Sequence, residues 1–150
     1  MSRVRNFRVA VSVAVMSVGV LTGGVVGVTT AWAKAAPKLT AKPAVNLKNG
    51  ESITVSGTGF KPGDTVYLVE CLRTAKGQSG CNASLTSLPL SATIGSSGKF
   101  PAVKFKVTTG KVGTGTCGTK ASNLAKCDVS VGNISGGDSA VADITFAAKK

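Results

Sequence analysis

The sequence predicts an all-β fold, a seven-stranded antiparallel Greek-key sandwich of two sheets held by disulfides. Three observations carry that prediction. Downstream of Pro43, turn signals recur about every eight to twelve residues, the rhythm of a sandwich or barrel. Apolar spacing at three and four residues is never sustained, so no amphipathic helix is expected. Cys71 and Cys81, and again Cys117 and Cys127, stand ten positions apart in a chain that opens like a secretory precursor and contains no histidine.

Residues 1–33 read as a secretory leader and are set apart from the fold. Arg3, Arg5 and Arg8 form a positive start, and residues 9–28 are apolar and small. Ala31-Trp32-Ala33 and Ala33-Lys34-Ala35 both offer small residues at the −3 and −1 positions of a cleavage site. The alternative is a retained anchor, since about 20 apolar residues just span a bilayer. Gly19, Gly23, Gly24 and Gly27 weigh against it. Residues 34–150 are then one domain, secreted or held at the cell envelope after cleavage.

The strands follow in order. Residues 39–47, interrupted by Pro43, suit an edge strand, where a missing N–H is tolerated. Asn49-Gly50 makes a turn that needs φ > 0. Ile53 and Val55 alternate with polar residues in the next strand, which ends at Gly57, Gly59 and the Lys61-Pro62-Gly63-Asp64 turn. Residues 65–72 are apolar on both faces, Val66 and Leu68 against Tyr67 and Val69, as in a central, doubly covered strand. Residues 84–94 give a weaker pair of segments broken by Pro89, and Gly95-Ser96-Ser97-Gly98 turns the chain. Val103, Phe105 and Val107 alternate with Lys104 and Lys106, the clearest half-buried strand. Residues 109–118, rich in glycine and threonine, are expected as a loop or irregular ribbon. Val129 and Val131 mark a short strand, and residues 140–146 form the last.

Charge and composition narrow the function. Three of the 18 basic residues lie in the leader and all six acids beyond it, so the mature chain carries +9. Such a charge favours anionic partners: nucleic acid, envelope polymers or membrane surfaces. Of the mature basic residues only Arg73 is an arginine, able to form a rigid bidentate fork. Neither a base-reading helix nor a set of stacking aromatics is present, so direct nucleic-acid recognition is not indicated. The missing histidine removes the commonest catalytic base and metal ligand. A hydrolase would need a Ser–Lys pair or two carboxylates, and the acids are scattered. Glu70, beside Cys71, is the odd acid and is read as a solvent-facing strand end. No enzyme and no metal are expected. The sequons at Asn82 and Asn133 are chance matches in a chain rich in Ser and Thr.

Four cysteines permit three pairings, and the residues alone do not choose among them. Sequential pairing is the economical one, each ring contributing roughly 2.5–3 kcal/mol in the chain-entropy view. A four-cysteine zinc site would want close-spaced ligands and a reducing compartment.

Several stretches resemble the neocarzinostatin family of enediyne apoproteins. They are Ala35-Ala36-Pro37, the run from Gly50 through Ser56-Gly57-Thr58-Gly59-Phe60, Tyr67-Leu68-Val69-Glu70-Cys71, Cys81-Asn82, and Cys127-Asp128-Val129-Ser130-Val131 with Gly136-Gly137 and the strand to Phe146. The resemblance spans residues 35–147. It implies an immunoglobulin-like seven-stranded sandwich with sequential disulfides, Cys71–Cys81 and Cys117–Cys127. It further implies a cleft between the large barrel and a two-stranded ribbon, holding a non-covalent enediyne chromophore as a hydrophobic small-molecule partner. The family protects that chromophore and delivers it to DNA, which the chromophore cuts, so DNA is met only through it. Actinobacterial secretion is the expected setting. Leu85, Leu88, Ser130 and Gly132 are the candidate cleft residues, and Arg73 could face an acidic group of a ligand. Relative to an aromatic-lined member of the family, Arg73 stands in place of a tryptophan and Thr86 in place of a phenylalanine. The fold carries over; the ligand does not follow from it. The competing expectation is a basic, envelope-associated interaction module that binds anionic wall polymers or membrane surface.

Overall fold

The computed structural model describes residues 35–74, 77–82 and 90–148, over which the chain forms nine strands. They are β1 (Lys38–Lys42), β2 (Ser52–Thr58), β3 (Thr65–Leu72), β4 (Leu90–Thr93), β5 (Phe100–Lys106), β6 (Gly110–Val112), β7 (Gly115–Cys117), β8 (Cys127–Gly132) and β9 (Ser139–Ile144). One sheet has the order β1-β2-β5, the other β4-β3-β8-β9, and β6 and β7 pair only with each other. All these pairings are antiparallel. The two-sheet, all-β prediction holds, with the glycine- and threonine-rich segment forming a two-stranded ribbon. The leader and its cleavage site, and residues 83–89 with Leu85 and Leu88, lie outside the described residues.

Alternation builds the core between the sheets. Ile53 and Val55 of β2 are fully buried and stand opposite Phe105 and Val103 of β5. Val66 and Leu68 of β3, Val129 and Val131 of β8 and Ile144 of β9 are equally buried from the second sheet. Each such side chain contributes about 1.5–3 kcal/mol by leaving water. Phe60 and Phe100 pack with ring centroids 6.3 Å apart and planes tilted by 51°. The opposite face of β3 is only half covered, at Tyr67 and Val69.

Pro43 shortens the first strand more than the apolar pattern suggests. β1 stops at Lys42, one residue before the ring that removes an N–H, and Leu47 returns as an isolated bridge to Phe146. The Leu47 N–H donates to the Thr145 carbonyl at 3.0 Å. Gly50 has φ of +76° in the expected Asn49-Gly50 turn, and its N–H donates to the Val107 carbonyl. The Asn49 side-chain oxygen accepts from Thr109 N–H at 2.8 Å, so this turn also holds the start of the ribbon.

The cysteines pair sequentially, Cys71 with Cys81 and Cys117 with Cys127. The first ring closes at the end of β3; the second joins β7 to the start of β8. The turn of the ribbon meets the first ring directly. A Cβ on Gly113, where φ is +50°, would lie 2.4 Å from the Gly80 carbonyl carbon and the Ser79 oxygen. Only glycine allows that approach.

Glu70 corrects the expectation of a solvent-facing strand end. It is 2% exposed, because β3 turns it to the same side as Leu68, where the segment after β5 crosses. Thr108 donates to Glu70 Oε2 from its backbone N–H at 2.9 Å and from its hydroxyl at 3.1 Å. Burial raises the Glu70 pKa, and the two Thr108 hydrogen bonds oppose the rise. Its other oxygen lies 3.7 Å from Cys117 Sγ, a packing contact, since a disulfide sulfur has no proton to give. Glu70, Cys117 and Cys127 bring three ligand-type atoms together, but the bonded sulfurs offer no thiolate to a metal. We expect Glu70→Ala to lower the unfolding free energy in urea by about 1.5–3 kcal/mol, the worth of hydrogen bonds to a charged group. Glu70→Gln keeps an acceptor oxygen and should avoid most of that loss. Equal losses in the two variants would mean that the charge, not the acceptor, holds Thr108.

Candidate functional site: the outer face of the four-stranded sheet

Register decides which side chains share the outer face of the second sheet. On β8, Val129 and Val131 point to the core, so Asp128, Ser130 and Gly132 point away from it. Their partners on β3 are Cys71, Val69 and Tyr67, and on β9 Asp143, Val141 and Ser139. The middle of this face carries small and apolar groups: Val69, Ser130, Gly132 and an exposed Val141. The structure therefore places Ser130 and Gly132 together on one half-covered surface, and Arg73 at its end.

The two ends differ. At the Tyr67 end, Gly63, Asp64, Thr65, Asn133, Ile134 and Ser135 surround an open depression of about 280 Å³. Its rim is fixed by side-chain hydrogen bonds. Asn133 Nδ2 donates to Asp64 Oδ2 at 2.8 Å, and Asn133 Oδ1 accepts from Gly137 N–H at 2.8 Å. Buried Asp138 accepts from the Lys61 N–H. The nitrogen of the second sequon is thus engaged in holding a loop.

At the other end the face turns acidic. Asp128 and Asp143 stand directly opposite each other across β8 and β9. Like charges in that relation are destabilising. Arg73 Nε lies 3.0 Å from Asp143 Oδ1, and the Arg73 N–H donates to the Lys126 carbonyl, fixing the residue at the strand end. Asp128 is 5% exposed, and its Oδ1 is buried without a hydrogen-bond partner among the described residues. Burial, reinforced by the Asp143 charge and opposed by Arg73, pushes its pKa up to about 6.

Neither aspartate was singled out from the sequence. The available signal was parity: Asp128 is in step with Ser130 and Gly132, out of step with two core valines. What faces it depends on β9, which no local pattern gives.

Residues 39–146 match the sequence profile of the Neocarzinostatin family. The chain belongs to the neocarzinostatin family. Among its relatives, macromomycin of Streptomyces macromomyceticus is 33% identical over 117 residues, covering 75% of this chain and 78% of that protein. The antitumor antibiotic C-1027 apoprotein of Streptomyces globisporus is 34% identical over 130 residues, 86% of this chain and 89% of the other. The solved structure of macromomycin superposes with a TM-score of 0.57 at 32% identity, covering 75% of this chain and all of that one. This chain places Arg73, Asp128 and Asp143 at one end of the sheet face.

The Asp128 pKa carries a sign. The folded value lies above the ordinary 3.8, so the folded state holds the proton more tightly than the unfolded one. The stability this group supplies is full below about 3.8, declines as pH rises, and is gone above about 6. We expect Asp128→Asn to be more stable than wild type at pH 7.5 by about 1–3 kcal/mol, given 1.36 kcal/mol per pKa unit. At pH 3.5 the gain should vanish. Urea midpoints at the two pH values measure it; the same gain at both would remove charge burial as the cause.

Proposed function

We propose that this protein is a secreted, non-enzymatic carrier that holds an apolar small molecule across the outer face of β4-β3-β8-β9. The single supporting observation is family membership along 39–146, joined to near full-length similarity to a protein named as an antibiotic apoprotein. On this reading the cargo is an enediyne-like antibiotic chromophore, bound non-covalently, and DNA is met only through it. Val69, Ser130, Gly132 and Val141 would floor the site, with Leu85 and Leu88 from the β3–β4 connection and Arg73 at its margin. A small-residue floor leaves room for a flat body, and an apolar one excludes water from it. Residues 1–33 would direct export and be removed. A chromophore should co-purify with protein from the native culture, and stripped protein should bind planar apolar dyes saturably, by fluorescence titration. No co-purifying chromophore and no saturable dye binding would remove the carrier reading.

A second reading rests on the other sheet. β1, β2 and β5 contain four lysines and no acid: Lys38, Lys42, Lys104 and Lys106. All four are exposed, and β2 sets Ser52, Thr54, Ser56 and Thr58 between them. Lys104 Nζ donates to Thr54 Oγ1 at 2.9 Å. A depression of about 470 Å³ opens between Lys38 and Lys99 on the same side. This surface suits attachment to anionic wall polymers or membrane. Lys104→Glu with Lys106→Glu should release the protein from anionic cell-wall material at lower salt than wild type. Unchanged, salt-insensitive retention would exclude electrostatic attachment.

A further inference from the structure

The outer face of β1-β2-β5 is a ladder of ammonium and hydroxyl groups. Register sets every lysine of the two flanking strands beside a hydroxyl residue of the middle one. Lys38 stands opposite Thr58, Lys42 and Lys104 on either side of Thr54, and Lys106 opposite Ser52. Lys104 and Lys106 are two residues apart on one strand, about 7 Å, and Lys42 lies two strand spacings from Lys104, about 10 Å. The acid nearest to these strands in sequence, Glu51, accepts from the Lys48 N–H at 2.8 Å. The ladder is interrupted once. Val55 pairs with Val103 and Gly57 with Phe100, so Ser56 alone faces both Pro101 and Ala102. Such a bulge suits Pro101, which has no N–H to give to the ladder. The depression of about 470 Å³ lies at this bulge, where Lys38 and Lys99 combine with the hydroxyls of Thr40, Ser56 and Thr58.

We propose that this face docks a linear polyol phosphate of the cell wall, with one hydroxylated repeat unit in the depression and the flanking phosphodiesters on the lysine rows. The proposal rests on the envelope-attachment reading and narrows its partner from any polyanion to one chemical class. An ammonium binds a phosphodiester oxygen as a point charge, whereas a planar carboxylate is best gripped by an arginine fork, and these three strands hold no arginine. Serine and threonine hydroxyls both donate and accept, which matches the free hydroxyls of a polyol. The internal sugars of duplex DNA carry no free hydroxyl. Single-stranded bases would want exposed aromatic platforms, and the aromatics of these strands are buried, as Phe100, or half-buried, as Phe105. Among the described residues the exposed large apolar side chains, Val45, Leu90, Ile134 and Val141, lie off this sheet, so it presents nothing to enter a bilayer.

The test uses the purified protein with both disulfides intact and four probes at equal anion concentration: poly(glycerol phosphate), poly-L-glutamate, a DNA duplex and phosphatidylglycerol vesicles. Binding is measured by isothermal titration calorimetry at low and at high salt. We expect wild type to bind poly(glycerol phosphate) about tenfold more tightly than the other three, a difference worth about 1.4 kcal/mol. Thr40→Val with Thr58→Val removes two hydroxyls and keeps shape and charge. It should lower affinity for poly(glycerol phosphate) about three- to tenfold and leave polyglutamate binding unchanged. Lys38→Gln with Lys99→Gln should weaken binding to every probe and reduce the salt slope by about one for each lysine removed. Equal affinity for all four probes, or a preference that survives the double threonine variant, would overturn the polyol-phosphate assignment and leave general electrostatic attachment standing. Tighter binding to the duplex or the vesicles would name a different occupant and overturn it too. Absence of salt-sensitive binding to any probe would remove the assignment and the attachment reading together.

Discussion

The pairing of β3 with β8 is the contact on which the rest of the molecule depends. It runs from Tyr67 opposite Gly132 to Leu72 opposite Cys127, through the middle of the larger sheet. Its inner side supplies Val66, Leu68, Val129 and Val131 to the core, and its outer side would floor the proposed carrier face. Both disulfides end on it, one at Cys71 and one at Cys127. A slip of one residue would invert both faces, placing Asp128 in the core and Val129 in the open. The rings therefore do more than restrict the unfolded chain. They pin the end of the one register that separates core from site.

Two buried carboxylates sit along this pairing and are treated differently. Glu70 faces inward and is satisfied twice by Thr108, so it ties the segment after β5 to β3. Asp128 faces outward and has an oxygen left unmet. The first makes structural sense without a ligand. The second is an expense that the fold does not recover within itself, and such local inconsistencies concentrate where proteins bind something. The ribbon shares in this arrangement, because Gly113 presses its turn against the first ring and Thr109 is held by Asn49.

Much of this architecture was legible in the residues. The bounds of β3 at 65 and 72, the Asn49-Gly50 turn and the alternation around Val103 and Phe105 all follow from local periodicity and turn chemistry. Local pattern fails where the outcome depends on distant chain. Leu47 reads as strand, yet Pro43 ends β1 and leaves it a lone bridge to Phe146. Glu70 reads as a strand end because nothing near it announces Thr108, 38 positions away. The acidic end of the site was hidden for the same reason. Asp128 and Asp143 are unremarkable in sequence and become a pair only when β9 folds onto β8.

The lysine-bearing sheet gives the molecule a front and a back. On the second reading above, a polyanion drawn to β1-β2-β5 would lie on the side opposite the proposed carrier face. Cargo on the opposite sheet would then be separated from that polyanion by the full thickness of the sandwich, two layers about 10 Å apart plus their outer side chains. If both readings hold, transfer by direct hand-over would be sterically closed. Cargo would then have to come off and diffuse around the protein, which would make its dissociation rate, rather than the protein's own attraction to the target, the quantity that sets delivery.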